Sequence, residues 1–200
     1  MGLSISVGML HDQARNDPEG FEYHRRAFDR LGAALGAEGI DWREPPLDGP
    51  PQDPAFSGGF PYRHLTRLRR VLALTGRGEP VTPAEEDGAG WERDCELIQD
   101  EALMFASHLI CHADNAGYYV PVDFADPLFL PADAGVAGAG MVGSSQRLLH
   151  ELVGLAPALG IVPDELSAPD GPFETEQFAW QQLHRACLAS LAGGHAIVFH

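Results

Sequence analysis

Residues 107–124 read Ser107-His108-Leu109-Ile110-Cys111-His112-Ala113-Asp114-Asn115-Ala116-Gly117-Tyr118-Tyr119-Val120-Pro121-Val122-Asp123-Phe124. Two strand-like runs, 107–113 and 118–124, flank a turn of Asp114, Asn115, Ala116 and Gly117. That pattern predicts a β-hairpin. With Asn115 and Ala116 at its centre, Leu109 faces Val122, Cys111 faces Val120 and Ala113 faces Tyr118, which makes one apolar face. The other face pairs His108 with Asp123, Ile110 with Pro121 and His112 with Tyr119. A slip of one residue would scramble both faces, so alternation fixes the register. Pro121 has no N–H to give to a ladder, which puts its strand at an edge or beside a bulge.

Outward from the hairpin, the chain mixes strands and helices without strict alternation. Residues 3–10 alternate, with Leu3, Ile5, Val7 and Met9 on one side and Ser4, Ser6 and Gly8 on the other, as in a half-buried strand. Ala196 to Phe199 is continuously apolar, as in a central strand, and a short strand is expected over Ile40 to Arg43. Asp17-Pro18 caps a helix whose stripe is Phe21, His24, Phe28, Leu31 and Leu35. Further helices are predicted over Tyr62 to Leu74, Trp91 to Phe105 (stripe Trp91, Cys95, Ile98 and Ala102) and Glu174 to Ala192. Another starts at Ser144 or Ser145 and kinks at Pro157. Prolines 45, 46, 50, 51, 54 and 61 make residues 45–61 a long loop. The expected fold is a single α+β domain over 1–200. It has one mixed, largely antiparallel β-sheet of about five strands, packed with about five α-helices.

Composition narrows the function classes. The chain has 200 residues, a formal net charge of −16, and 13 basic residues that are all arginine. Non-specific nucleic-acid binding runs on cationic groups that release counterions, so neither nucleic acid nor an anionic membrane is an expected partner. A basic protein would be steered in. The three scattered cysteines, Cys95, Cys111 and Cys187, argue against a disulfide framework and for a reducing compartment. No signal-peptide pattern and no long apolar run is present, so a cytoplasmic location is expected.

Three constellations are candidate sites. The polar hairpin face, His108, His112, Tyr119 and Asp123, would suit general acid–base chemistry, because a carboxylate beside an imidazole orients it and raises its pKa. The plainer alternative is a solvent-facing sheet side with a cross-strand His–Asp pair. His108 and His112 stand about 13 Å apart along a strand, too far to share one ion, so no metal is assigned. On a helix, Arg63, Arg67 and Arg70 share a face and would grip an anionic ligand, or pair internally with Glu85, Glu86 and Asp87 or with Glu92, Asp94 and Glu96. The GxGxxG run Gly138 to Gly143 lacks the preceding buried strand of a dinucleotide site, so no cofactor is expected. Ser144 and Ser145 behind it would cradle an anion at a helix N-terminus, or simply cap that helix.

Met1 to Met9, the Gly59-Phe60-Pro61-Tyr62 turn, Ser107 to Phe124 and Val142 to Leu152 together resemble a group of uncharacterised bacterial proteins of unknown function. The resemblance covers most of the chain and implies no activity and no site residues. Strong acidity without a nucleophile motif favours a non-catalytic protein-binding module, for example an immunity-type neutraliser of a basic partner. The alternative is a small acid–base enzyme acting on an anionic small molecule.

Overall fold

A computed structural model describes residues 2–47, 54–84, 88–136, 138, 140–163, 165 and 168–200. Strand β1 is Gly2–Val7, and its alternation is realised: Leu3, Ile5 and Val7 enter the core while the Ser6 hydroxyl meets His200 Nε2 at 2.9 Å. Gly8, at φ +69, turns the chain into a short helix α1, Leu10–Asn16, where the sequence suggested a longer strand. Asp17 then caps α2, Pro18–Ala37, by accepting the Gly20 N–H at 3.0 Å.

Strand β2, Phe56–Pro61, corrects the expectation of a structureless 45–61 loop; residues 48–53 of that loop lie outside the described residues. It is an edge strand, and Pro61 stands at its end, where the missing N–H costs no ladder bond. Helix α3, Tyr62–Gly76, follows directly. Next come α4, Ala89–Ala102, and β3, Gly117–Val120. The chain ends with β4, Val142–Ser144, α5, Ser145–Leu155, α6, Glu174–Gly193, and β5, Ile197–Phe199. Ile40 to Arg43 forms no strand.

The strands make one five-stranded sheet in the order β2-β1-β5-β3-β4. All pairings are antiparallel except β3 with β4. The fold is α+β, with a mixed, largely antiparallel sheet. Helices cover both faces. Ile5, Tyr119, Ile197 and Phe199 pack on Leu68 of α3, Leu148 and Leu152 of α5 and Trp180 of α6. Tyr118, Val120 and Val198 pack on Phe28, Leu31 and Leu35 of α2. Central β5 is therefore apolar on both sides.

The hairpin does not form. Only Gly117–Val120 is extended, and it is an inner strand whose ladder partners are β5 and β4. Pro121 lies just past its end rather than at a sheet edge. Residues 107–112 coil into turns, because side chains satisfy their backbone where a ladder would have done so. The Ser107 hydroxyl accepts the Ile110 N–H at 3.0 Å. The Glu151 carboxylate of α5 accepts the N–H groups of His108 and Leu109, both at 2.8 Å. Arg69 of α3 donates to the carbonyls of Leu109 and His112 and to Asp114. Tyr119 Oη donates to the His108 carbonyl at 2.9 Å.

Candidate functional site

Helix α4 packs on α3, and arginines on α3 and at its C-terminal cap decide which of its carboxylates reach solvent. Arg70 forms an ion pair with Asp94 at 2.7 Å, and its Nη1 donates to the Thr82 carbonyl at 2.7 Å. Arg77 donates to Glu101 at 2.7 Å and lies 3.7 Å from Asp100. Arg63 stacks over the Trp91 ring, 5.0 Å from its centroid. Asp94 and Glu101 are thus drawn inward. Glu92, Glu96 and Asp100, four residues apart, stay on the outer face. Among the described residues neither Glu92 nor Glu96 forms an ion pair. One α-helical step of four residues is about 6 Å, so the row spans about 12 Å, with Arg77 offsetting part of the charge at its Asp100 end. The carboxylates of α2 are offset more fully: Glu22 pairs with Arg25 at 2.9 Å, and Arg25 reaches Asp29 at 3.6 Å.

The residues singled out from the sequence fall into separate places. Arg63 and Arg70 hold α4 as described, and Arg67 donates to Thr175 Oγ1 at 3.3 Å, towards α6. The suggested partners Glu85, Glu86 and Asp87 lie outside the described residues, whereas the pairing with Asp94 is present. Ser144 and Ser145 are fully buried. Ser144 Oγ caps α5 by accepting the Arg147 N–H at 3.2 Å, and the Ser145 hydroxyl meets that of Ser190 at 2.9 Å. In the GxGxxG run, Ala139 lies outside the described residues and Gly143 sits within β4.

His108, His112 and Tyr119 come together in the core, while Asp123 is exposed and bound to Arg147 at 2.6 Å. His108 Nδ1 accepts the Ser144 N–H at 2.9 Å and its Nε2 faces the Ala125 carbonyl at 3.2 Å, the pattern of a neutral ring protonated on Nε2. His112 stacks on Tyr119 with ring centroids 4.3 Å apart. Burial lowers the His108 pKa and pushes that of His112 down to about 4. Burial also raises the phenol of Tyr119 well above its ordinary range and brings Glu151 up to about 7. These groups clamp the 107–114 turn, and His108, His112 and Tyr119 among them are buried. Two of the clamp's members, Arg69 and Glu151, have no local signal, because their partners are more than 30 residues away in sequence. Among the described residues no cluster of three or more His, Cys, Asp or Glu is placed to hold a metal ion, and no helix is long and apolar enough to cross a membrane.

A solvent-facing carboxylate row on α4 is therefore a feature that the fold presents outward. The chain belongs to a family described as putative DNA-mimic protein, whose model matches residues 1–199. That description is of a non-catalytic protein that engages a partner by resembling DNA. No curated protein and no solved structure matches the chain.

Proposed function

We propose that this protein occupies the nucleic-acid groove of a basic DNA-binding protein, with Glu92, Glu96 and Asp100 standing where phosphates would lie. The observation that carries the reading is the division of labour on α4. Arg70 and Arg77 take Asp94 and Glu101, Arg77 also reaches Asp100 at 3.7 Å, and Glu92 and Glu96 stay exposed without an ion pair among the described residues. Each DNA strand presents one charge per roughly 3.4 Å of axis, and a groove evolved for that array meets an acidic helix with complementary potential. With a net charge of −16 and no lysine, the rest of the surface adds to the steering. This narrows the neutraliser of a basic partner to one whose basic face binds DNA, and such a partner works in the cytoplasm of a bacterial cell.

Competition is the test. A partner captured from the native lysate is identified, purified and titrated with duplex DNA in the presence and absence of this protein. Mutually exclusive binding, weakened at least about tenfold by E92Q/E96Q/D100N and steeply by salt, is expected. A partner that binds DNA and this protein at the same time would overturn the reading.

A further inference from the structure

Beyond Asp100, the four-residue row continues to Met104, and the character of the surface changes. Leu103, Met104 and Phe105 follow the end of α4 at 69, 72 and 55% exposure, and Phe129 joins them at 49%. The rings of Phe105 and Phe129 meet edge to face, with centroids 5.2 Å apart and planes at 85°. Large apolar side chains gathered at a helix end, in a chain this acidic, mark an interaction surface.

The backbone supplies a second, independent observation. Phe105 has φ +52, which puts a bulky residue in the left-handed region. A helix that ends this way normally carries Gly or Asn at that position. Here a phenylalanine is kept there, at a steric cost, with its ring in solvent. Strain of this kind gathers at binding sites.

Duplex DNA offers a partner phosphates, sugars and groove edges, and its base faces are hidden in the stack. Single-stranded DNA offers phosphates and open π-faces together. Proteins that bind single strands combine a positively charged groove with aromatic platforms on which the bases stack. The surface at the end of α4 has the matching pair of features: a carboxylate row that runs directly into two exposed aromatic rings and a methionine, whose thioether also favours aromatic contact. We propose, on the footing of the DNA-mimic reading above, that the strand imitated is single-stranded. Glu92, Glu96 and Asp100 take the place of phosphates, Phe105 and Phe129 take the place of unstacked bases, and the partner is a single-strand-binding protein with a basic, aromatic-lined groove.

The test uses the full chain with a photo-crosslinking phenylalanine analogue at position 129 or, separately, at position 99, beside the carboxylate row. Both are exposed, so the fold is undisturbed. The crosslinked protein is identified, purified, and measured against an oligo(dT) of about 30 nucleotides, longer than the roughly 4–16 nucleotides one OB fold covers, and against a duplex of the same length. The expected partner prefers oligo(dT) by at least about tenfold and is displaced from it by this protein. F105S/F129S weakens that displacement by about tenfold or more with an unchanged thermal midpoint, and the loss persists at high salt. A partner that prefers the duplex overturns this inference and leaves DNA mimicry standing. A partner that binds no nucleic acid, or no crosslink at either position, overturns both. A crosslink only to a second copy of this chain, with F105S/F129S turning a dimer into a monomer, assigns the patch to self-association and overturns the inference.

Discussion

Arg70 and Asp94 meet at 2.7 Å in the seam between α3 and α4, with side chains only 10% and 15% exposed. The pair orients the whole acidic helix. It turns one carboxylate inward, fixes the rotation of α4 on α3, and so leaves the other edge of the helix to Glu92, Glu96 and Asp100.

Removing one partner of a pair this buried leaves a charge uncompensated. D94N is expected to destabilise the protein by about 3 kcal/mol. E96Q, two residues along and exposed, is expected to stay within about 0.5 kcal/mol of wild type. Urea denaturation of the two variants side by side checks the contrast. Equal, small effects would mean that the seam pair does not position the helix.

The 107–114 turn depends on Glu151 as its acceptor. E151A leaves the N–H groups of His108 and Leu109 unsatisfied in the core, at an expected cost of about 2–4 kcal/mol. Amide hydrogen exchange at His108 and Leu109 should accelerate more than at Tyr119, whose backbone is held in the sheet. Exchange that rises uniformly would place the effect in global stability alone.

Stability should depend on pH in two opposed ways. His112 has a native pKa of about 4 against 6.5 in a free ring, so the unfolded state binds more protons in that window. Its contribution is fully present above pH 6.5 and is lost as pH falls towards 4. Glu151 is raised from 4.5 to about 7, so its contribution is present below pH 4.5 and is lost as pH rises through 7. Thermal melts of wild type and H112F should therefore diverge towards acid, with wild type losing more. The stability of wild type relative to E151Q should fall between about pH 4.5 and pH 7. A wild-type minus variant difference that is flat in pH for either substitution would remove that group from the pH dependence.

What the sequence made legible was periodic. The alternation from Leu3 to Met9, the Asp17-Pro18 cap and the apolar run Ala196 to Phe199 each predict an element that forms, although β1 stops at Val7 and β5 begins at Ile197. The hairpin failed because its first arm was claimed by distant side chains, Arg69 and Glu151, and its second arm by β5 and β4. Local pattern cannot weigh partners 40 residues away. Strand Phe56–Pro61 was hidden by its glycines and prolines, and it forms because the edge of β1 supplies a full ladder. The helical face shared by Arg63, Arg67 and Arg70 was visible, as was the pairing with Asp94 as an alternative to an anionic ligand. Glu92 and Glu96 figure in the sequence only as pairing partners for those arginines, not as an outer acidic row with Asp100. That the row faces solvent depends on the side of α4 that α3 takes.

The parallel pair β3–β4 places Gly143 opposite Tyr119, and that contact yields the sharpest packing test. A Cβ on Gly143 would collide with Cδ1 and Cε1 of the Tyr119 ring. The ring has nowhere to go: it is fully buried, stacked on His112 at 4.3 Å, and tied by its hydroxyl to the His108 carbonyl at 2.9 Å. G143A should therefore cost about 3 kcal/mol or more, because overpacking here must move a strand. Gly154, on an exposed turn of α5 with open space around it, is the matched control. G154A should stabilise by about 0.5–1 kcal/mol through helix propensity. Opposite signs for the same chemical change, read from two urea curves, would establish that Gly143 is required by Tyr119 and not by turn geometry. A neutral G143A would show that β3 and β4 are not packed at this register.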